Sequence, residues 1–139
     1  MSTFKQIYLE EELFPELNKK YPRAGAKVDG RKVLKNVDNT DSISATFNEW
    51  EELKGIRALK MKDFGGPNTV FYAKDDFDRA RDLAERIKIS NEISPLIVVI
   101  DDEGPYILEG AHRFVALHNL KAKSFPALVI VDTEEYEGN

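Results

Sequence analysis

The chain has 139 residues, enough to bury a single hydrophobic core unaided, and 42% hydrophobic with 32% charged residues is the balance of an ordinary globular protein. It has no cysteine, which excludes disulfides, and no apolar run approaches the length needed to cross a membrane. A formal net charge of −5 argues against nonspecific gripping of nucleic acid, which draws its affinity from a basic face.

Met1 to Gln6 lack the charged-then-apolar layout of an export signal, so a cytoplasmic setting is expected. Phe4, Ile7, Tyr8, Leu13, Phe14 and Leu17 suggest one or two short helical pieces broken near Pro15. Tyr21 to Gly25 reads as loop, Lys32 to Val37 as an edge strand, and Asp38 to Ser42 as a polar turn. Ser42 to Phe47 alternates well enough to be a strand, and Gly55 to Met61 reads as another. Asn39 to Ser42 offer hydroxyl and carboxylate groups to a substrate near the cradle, but a hydrogen-bonded turn is the favoured reading.

Asp63 to Thr69 is a flexible turn ahead of a helix that starts near Asp75. Phe77, Ala80, Leu83, Ala84 and Ile87 form its apolar stripe, and Asp75 with Arg79 and Asp82 with Arg86 are expected i,i+4 pairs on its outer face. Leu96 to Ile100, β-branched and preceded by Pro95, is a buried strand. The cluster Asp101 to Pro105 turns the chain, and Tyr106 to Leu108 return as a second strand. A helix follows from Gly110, with Phe114, Leu117 and Leu120 at helical spacing. Ser124-Phe125-Pro126 ends it before the strand Ala127 to Val131.

The chemistry concentrates at Glu109-Gly110-Ala111-His112-Arg113. A glycine at a strand-to-helix turn lets the open amides of the helix start point outward, and the helix dipole adds partial positive charge, so phosphate is a natural partner there. Arg113 adds a candidate bidentate clamp, His112 a donor or titratable acid, and Glu109 a proton acceptor or a water-mediated magnesium contact. The bland readings are a surface arginine, a histidine that caps a carbonyl, and an exposed glutamate at a strand end. His118 reads as a helix-face residue, and no metal-ligand spacing is evident with two histidines and no cysteine.

From Phe77 to Val131 the chain resembles the ParB/sulfiredoxin-like domain. Leu83 to Ile87 stand at its helix motif, Asn91 at its helix-closing glycine, Pro95 to Val99 and Phe125 to Val129 at its two strands, and Gly110 to Arg113 at its Gly-x-x-Arg turn. Pro67-Asn68 echoes its Pro-Asn segment. The resemblance implies an α/β (α+β) fold with a small mixed sheet, packed helices and the cradle at its edge. It also implies a core over residues 56–132, after a partly helical extension (1–55) packed on it and before a frayed acidic tail (133–139).

Partition proteins of this family read Gly-Glu-Arg-Arg, and here Ala111 replaces the glutamate that helps hold metal or orient water. Sulfiredoxins read Gly-Cys-His-Arg; without cysteine, sulfinate reduction through a thiol is excluded. The turn is most similar to the acidic-Gly-x-His-Arg version of members resembling free-serine kinases. By that resemblance Gly110, Ala111, His112 and Arg113 hold the phosphates of a nucleoside di- or triphosphate with magnesium, with Lys74 as a second phosphate contact. Glu109 and His112 then serve as catalytic groups for NTP hydrolysis or phosphoryl transfer to a small acceptor. A noncatalytic nucleotide-sensing or adaptor module with a protein partner is the alternative, and a ParB-like nuclease a third. The chain runs only a few residues beyond Val131, so the helix-turn-helix half with which partition proteins read DNA is not expected.

Overall fold

Two apolar runs, Leu96–Asp101 (β6) and Ser124–Asp132 (β8), form the middle of the sheet in the computed structural model, which describes residues 13–66 and 73–137. They pair in parallel, from Leu96 opposite Ala127 to Ile100 opposite Val131. Leu96, Val98, Ile100, Phe125, Ala127, Val129 and Val131 face one core, while Ile97, Val99, Leu128 and Ile130 face a second. Burial on both faces is why these strands are continuously apolar instead of alternating.

Gly104–Glu109 (β7) returns antiparallel on β6, and its turn is held by the Glu103 amide donating to Asp101 Oδ1 at 2.8 Å. On the far side of β8, Trp50–Glu52 (β3) and Arg57–Lys60 (β4) both run antiparallel to it, β3 opposite residues 130–132 and β4 opposite residues 124–127. A smaller sheet joins Lys27–Val28 (β1), Arg31–Val33 (β2) and Glu92–Ile93 (β5), with the β2–β5 pair parallel. The fold is therefore α+β with mixed sheets, as expected. The strand expected over Lys32 to Val37 is shorter, with one further bond from the Leu34 amide to Ile93 O at 2.9 Å.

The helices are Pro15–Lys20 (α1), Asp41–Thr46 (α2), Lys74–Ser90 (α3) and Ala111–Asn119 (α4), with a 3-10 turn at Met61–Asp63. Pro15 opens α1 at a position that tolerates its missing amide. On α3, Ala80, Ala84 and Ile87 are buried and Phe77 and Leu83 pack beside them. Asn91 closes that helix in the left-handed conformation (φ 57°), its amide donating to Ile87 O at 2.7 Å.

Several expectations are corrected. Ser42 to Phe47 is not a strand: it forms α2 and its exit, because Ile43 and Phe47, four apart, share one helical face and pack on the second core. β8 begins at Ser124 and includes Pro126, which lies before the first rung with β6, at a strand end that accommodates proline. Asp78 collects the ion pairs on α3, from Lys74 at 2.9 Å and Arg81 at 3.2 Å, in place of Asp75 with Arg79 and Asp82 with Arg86. The acidic end is folded through Tyr136, whose amide donates to Asp132 O at 2.8 Å and whose ring meets Phe14 edge-on at 5.9 Å. Phe4, Ile7, Tyr8 and the Pro67-Asn68 echo lie outside the described residues. Among the described residues no helix is long and apolar enough to cross a membrane.

Candidate phosphate cradle

The β7-to-α4 junction is shaped by one bulge and one glycine. Ile97 pairs with Glu109 but Val98 with Ile107, so Leu108 is the extra residue and the bulge re-aims Glu109 at the strand end. Gly110 then adopts φ 100°, ψ 24°, and a Cβ built on it would lie 2.6 Å from Leu96 Cγ, closer than side chains pack. Only glycine fits both the conformation and the wall. No side chain caps α4: the first intrahelical bond runs from the Phe114 amide to Gly110 O at 2.8 Å, and the amides of Ala111 to Arg113 have no acceptor within the helix.

The two side chains that follow are tied into the fold. His112 Nε2 stands 3.1 Å from Asp76 Oδ1, joining the first turn of α4 to the first turn of α3. Arg113 Nη1 donates to Pro95 O at 2.8 Å and to Ser94 O at 3.2 Å, while Nη2 lies 3.6 Å from Asp38 Oδ2. With 19% of its side chain exposed, Arg113 fastens the β5–β6 connection to α4. Burial pulls its pKa down from the ordinary arginine value, against the opposing fields of Asp38 and Glu109, and a guanidinium stays charged through such a change. The bidentate phosphate clamp read from the sequence is thus directed at backbone carbonyls.

Glu109 is half-buried and close enough to act on Arg113 electrostatically. Lys74, 86% exposed at the start of α3, is paired with Asp78. Sequence reasoning missed Asp76 and Asp38, the carboxylates that engage His112 and Arg113; their signal was confined to a helix first turn and a polar turn distant in sequence. Asp63, Phe64, Gly65, Tyr106 and Ala111 are among the walls of a cavity of about 470 Å³ beside the start of α4. Among the described residues no group of three acidic or histidine side chains is placed to hold a metal ion.

No family model matches the chain. Over 92 residues it is 30% identical to the nucleoid occlusion protein of Shouchella clausii (strain KSM-K16). This likeness supports a ParB-related family. The aligned stretch is 66% of this chain and 31% of the relative, so the chain matches about a third of that protein's length.

Proposed function

We propose that this ParB-related chain binds the phosphates of a nucleoside di- or triphosphate at the start of α4. The observation that carries the reading is Gly110, which is seated against Leu96 in a left-handed conformation and leaves a helix start without a side-chain cap, at the wall of a cavity of about 470 Å³. Open amides at the positive end of a helix dipole suit an anion. Phe64 and Tyr106 give the same cavity apolar walls for the nucleoside.

In this reading the amides of Ala111, His112 and Arg113 donate to phosphate oxygens. His112 adds a donor whose orientation Asp76 sets, and Arg113 holds the helix start in place while contributing its field from behind. Lys74 becomes a phosphate contact by exchanging Asp78 for the ligand. Magnesium would neutralise polyphosphate charge, with Glu109 and Asp76 as the nearby carboxylates. Hydrolysis or transfer, if it occurs, uses Glu109 as the proton acceptor and His112 as the acid. Carried over from the relative's name, the domain would serve an assembly with a DNA or protein partner.

The inward direction of Arg113 favours a second reading, binding without turnover, because the strongest cation of the turn supports structure instead of facing a reacting group. Calorimetry of ATP, ADP, CTP and GTP with magnesium tests binding. Saturable binding of at least one nucleotide is expected, weakened roughly tenfold in His112→Ala by the loss of a hydrogen bond to phosphate. No binding by the unaltered chain refutes the proposal. Phosphate release over long incubation then separates enzyme from sensor.

A further inference from the structure

Away from the cradle, the fold gathers lysines that the sequence scatters. Lys20 ends α1, Lys60 ends β4, Lys62 sits in the 3-10 turn, and Lys121 and Lys123 flank Ala122 in the α4–β8 turn. Lys60, Lys62 and Lys123 line a groove of about 530 Å³ floored by Met61 and Ala122; Lys121 lines a neighbouring hollow that reaches His118, Lys20 lines another, and Lys62 is common to all three. All five ammonium groups are exposed, and no ion pair engages them among the described residues. Asp63 is the one carboxylate among the described residues that line the three hollows.

The backbone beneath the lysines is fixed. The Lys121 amide donates to His118 O at 3.0 Å, the Ala122 amide to Leu117 O at 2.9 Å, and the Met61 amide to Lys123 O at 2.9 Å. The Lys123 amide donates to Asp29 Oδ2 at 2.8 Å, which pins the turn from the β1–β2 side. The rim is therefore positioned before any ligand arrives.

We propose that this groove docks an acidic protein segment that carries one apolar side chain. Charge complementarity supplies the first half: several unpaired lysines stand together on a chain of net charge −5. The floor supplies the second, since Met61 and Ala122 between lysine stems form an apolar slot under a charged rim. A nucleic acid fits less well. Among the described residues, the lining of the central groove has no aromatic ring for base stacking, and the acidic remainder of the molecule repels a long polyanion. The rim is built of lysine, a flexible point charge, where phosphate recognition favours the planar fork of arginine.

The test is fluorescence anisotropy on the full chain with a labelled peptide of glutamates and aspartates around a central leucine. Its serine-centred analogue and a labelled DNA duplex of matched charge serve as competitors. Saturable, salt-sensitive binding of the leucine peptide is expected, roughly tenfold tighter than the serine analogue because one apolar side chain is buried. Lys62→Glu combined with Lys123→Glu weakens it at least roughly tenfold by placing like charges against the ligand. Both lysines are exposed and unpaired, so an unchanged circular dichroism spectrum is expected to show that the double variant folds. No binding at low salt, indifference to the charge reversal, or equal affinity for the serine analogue overturns the proposal. So does tighter binding of the duplex, which would make the groove a nucleic-acid surface, or self-association in sedimentation that the double variant abolishes.

Discussion

The start of α4 and the lysine groove are both marked by basic residues, but the fold uses them in opposite ways. At α4 the side chains are held by protein partners: Arg113 donates to the carbonyls of Ser94 and Pro95, and His112 meets Asp76. In the groove the cations are outward, with only their backbone fixed. Adjacency in sequence makes His112-Arg113 look like the stronger anion site. Burial and nearby acceptors instead commit both side chains to partners within the protein.

The contrast can be broken most severely at Gly110. Gly110→Ala forces a Cβ against Leu96 in a left-handed backbone and should lower stability by about 2–4 kcal/mol, as read by chemical denaturation. A loss under half a kcal/mol would mean that the junction relaxes freely. Next is Arg113→Ala, expected to cost about 1–3 kcal/mol by stranding two partly buried carbonyls. Arg113→Lys should restore little of it, since an ammonium lacks the fork that reaches both. A variant of normal stability that has lost only ligand binding would return Arg113 to the role of a phosphate clamp.

A titration separates the regions further. Burial, followed by the fields of Asp63 and Tyr136, pushes the Tyr21 phenol up from 10.0 to about 12. A pKa raised on folding contributes stability that is fully present below the unfolded value and lost as pH rises through the folded one. Unfolding free energy should therefore fall by about 2–3 kcal/mol between pH 10 and about 12 on this account. Tyr21→Phe should remove that part of the alkaline slope. An unchanged slope would show that the hydroxyl is not shielded beneath the lysine groove. Smallest of all, Lys62→Glu with Lys123→Glu should shift stability by no more than about 0.5 kcal/mol, as for substitutions at unpaired surface charges. A larger loss would show that these lysines serve the fold.

Local signals were legible wherever one residue's own chemistry decides the outcome. The β6 run, the α3 stripe and the glycine opening α4 could be read directly, and Asn91 as the helix-closing residue through the family resemblance. What the chain hides is long-range. Six residues with Ile43 and Phe47 four apart suit either a strand or a helical face, and the need to cover the second face of β6 and β8 selects the helix. Asp38 and Asp76 lie many residues from the side chains they engage, so no spacing rule finds them. The direction of Arg113 is likewise a property of where the β5–β6 connection passes, and Tyr136 is ordered by Phe14, from the opposite end of the described chain.

Strand β8 bonds to β3, β4 and β6, yet it is the last of these strands to be made. While the chain is still emerging from the ribosome, those three each keep one edge unpaired until residues 124–132 arrive. The sheet therefore closes late, because its pairings with β8 join residues far apart in the chain.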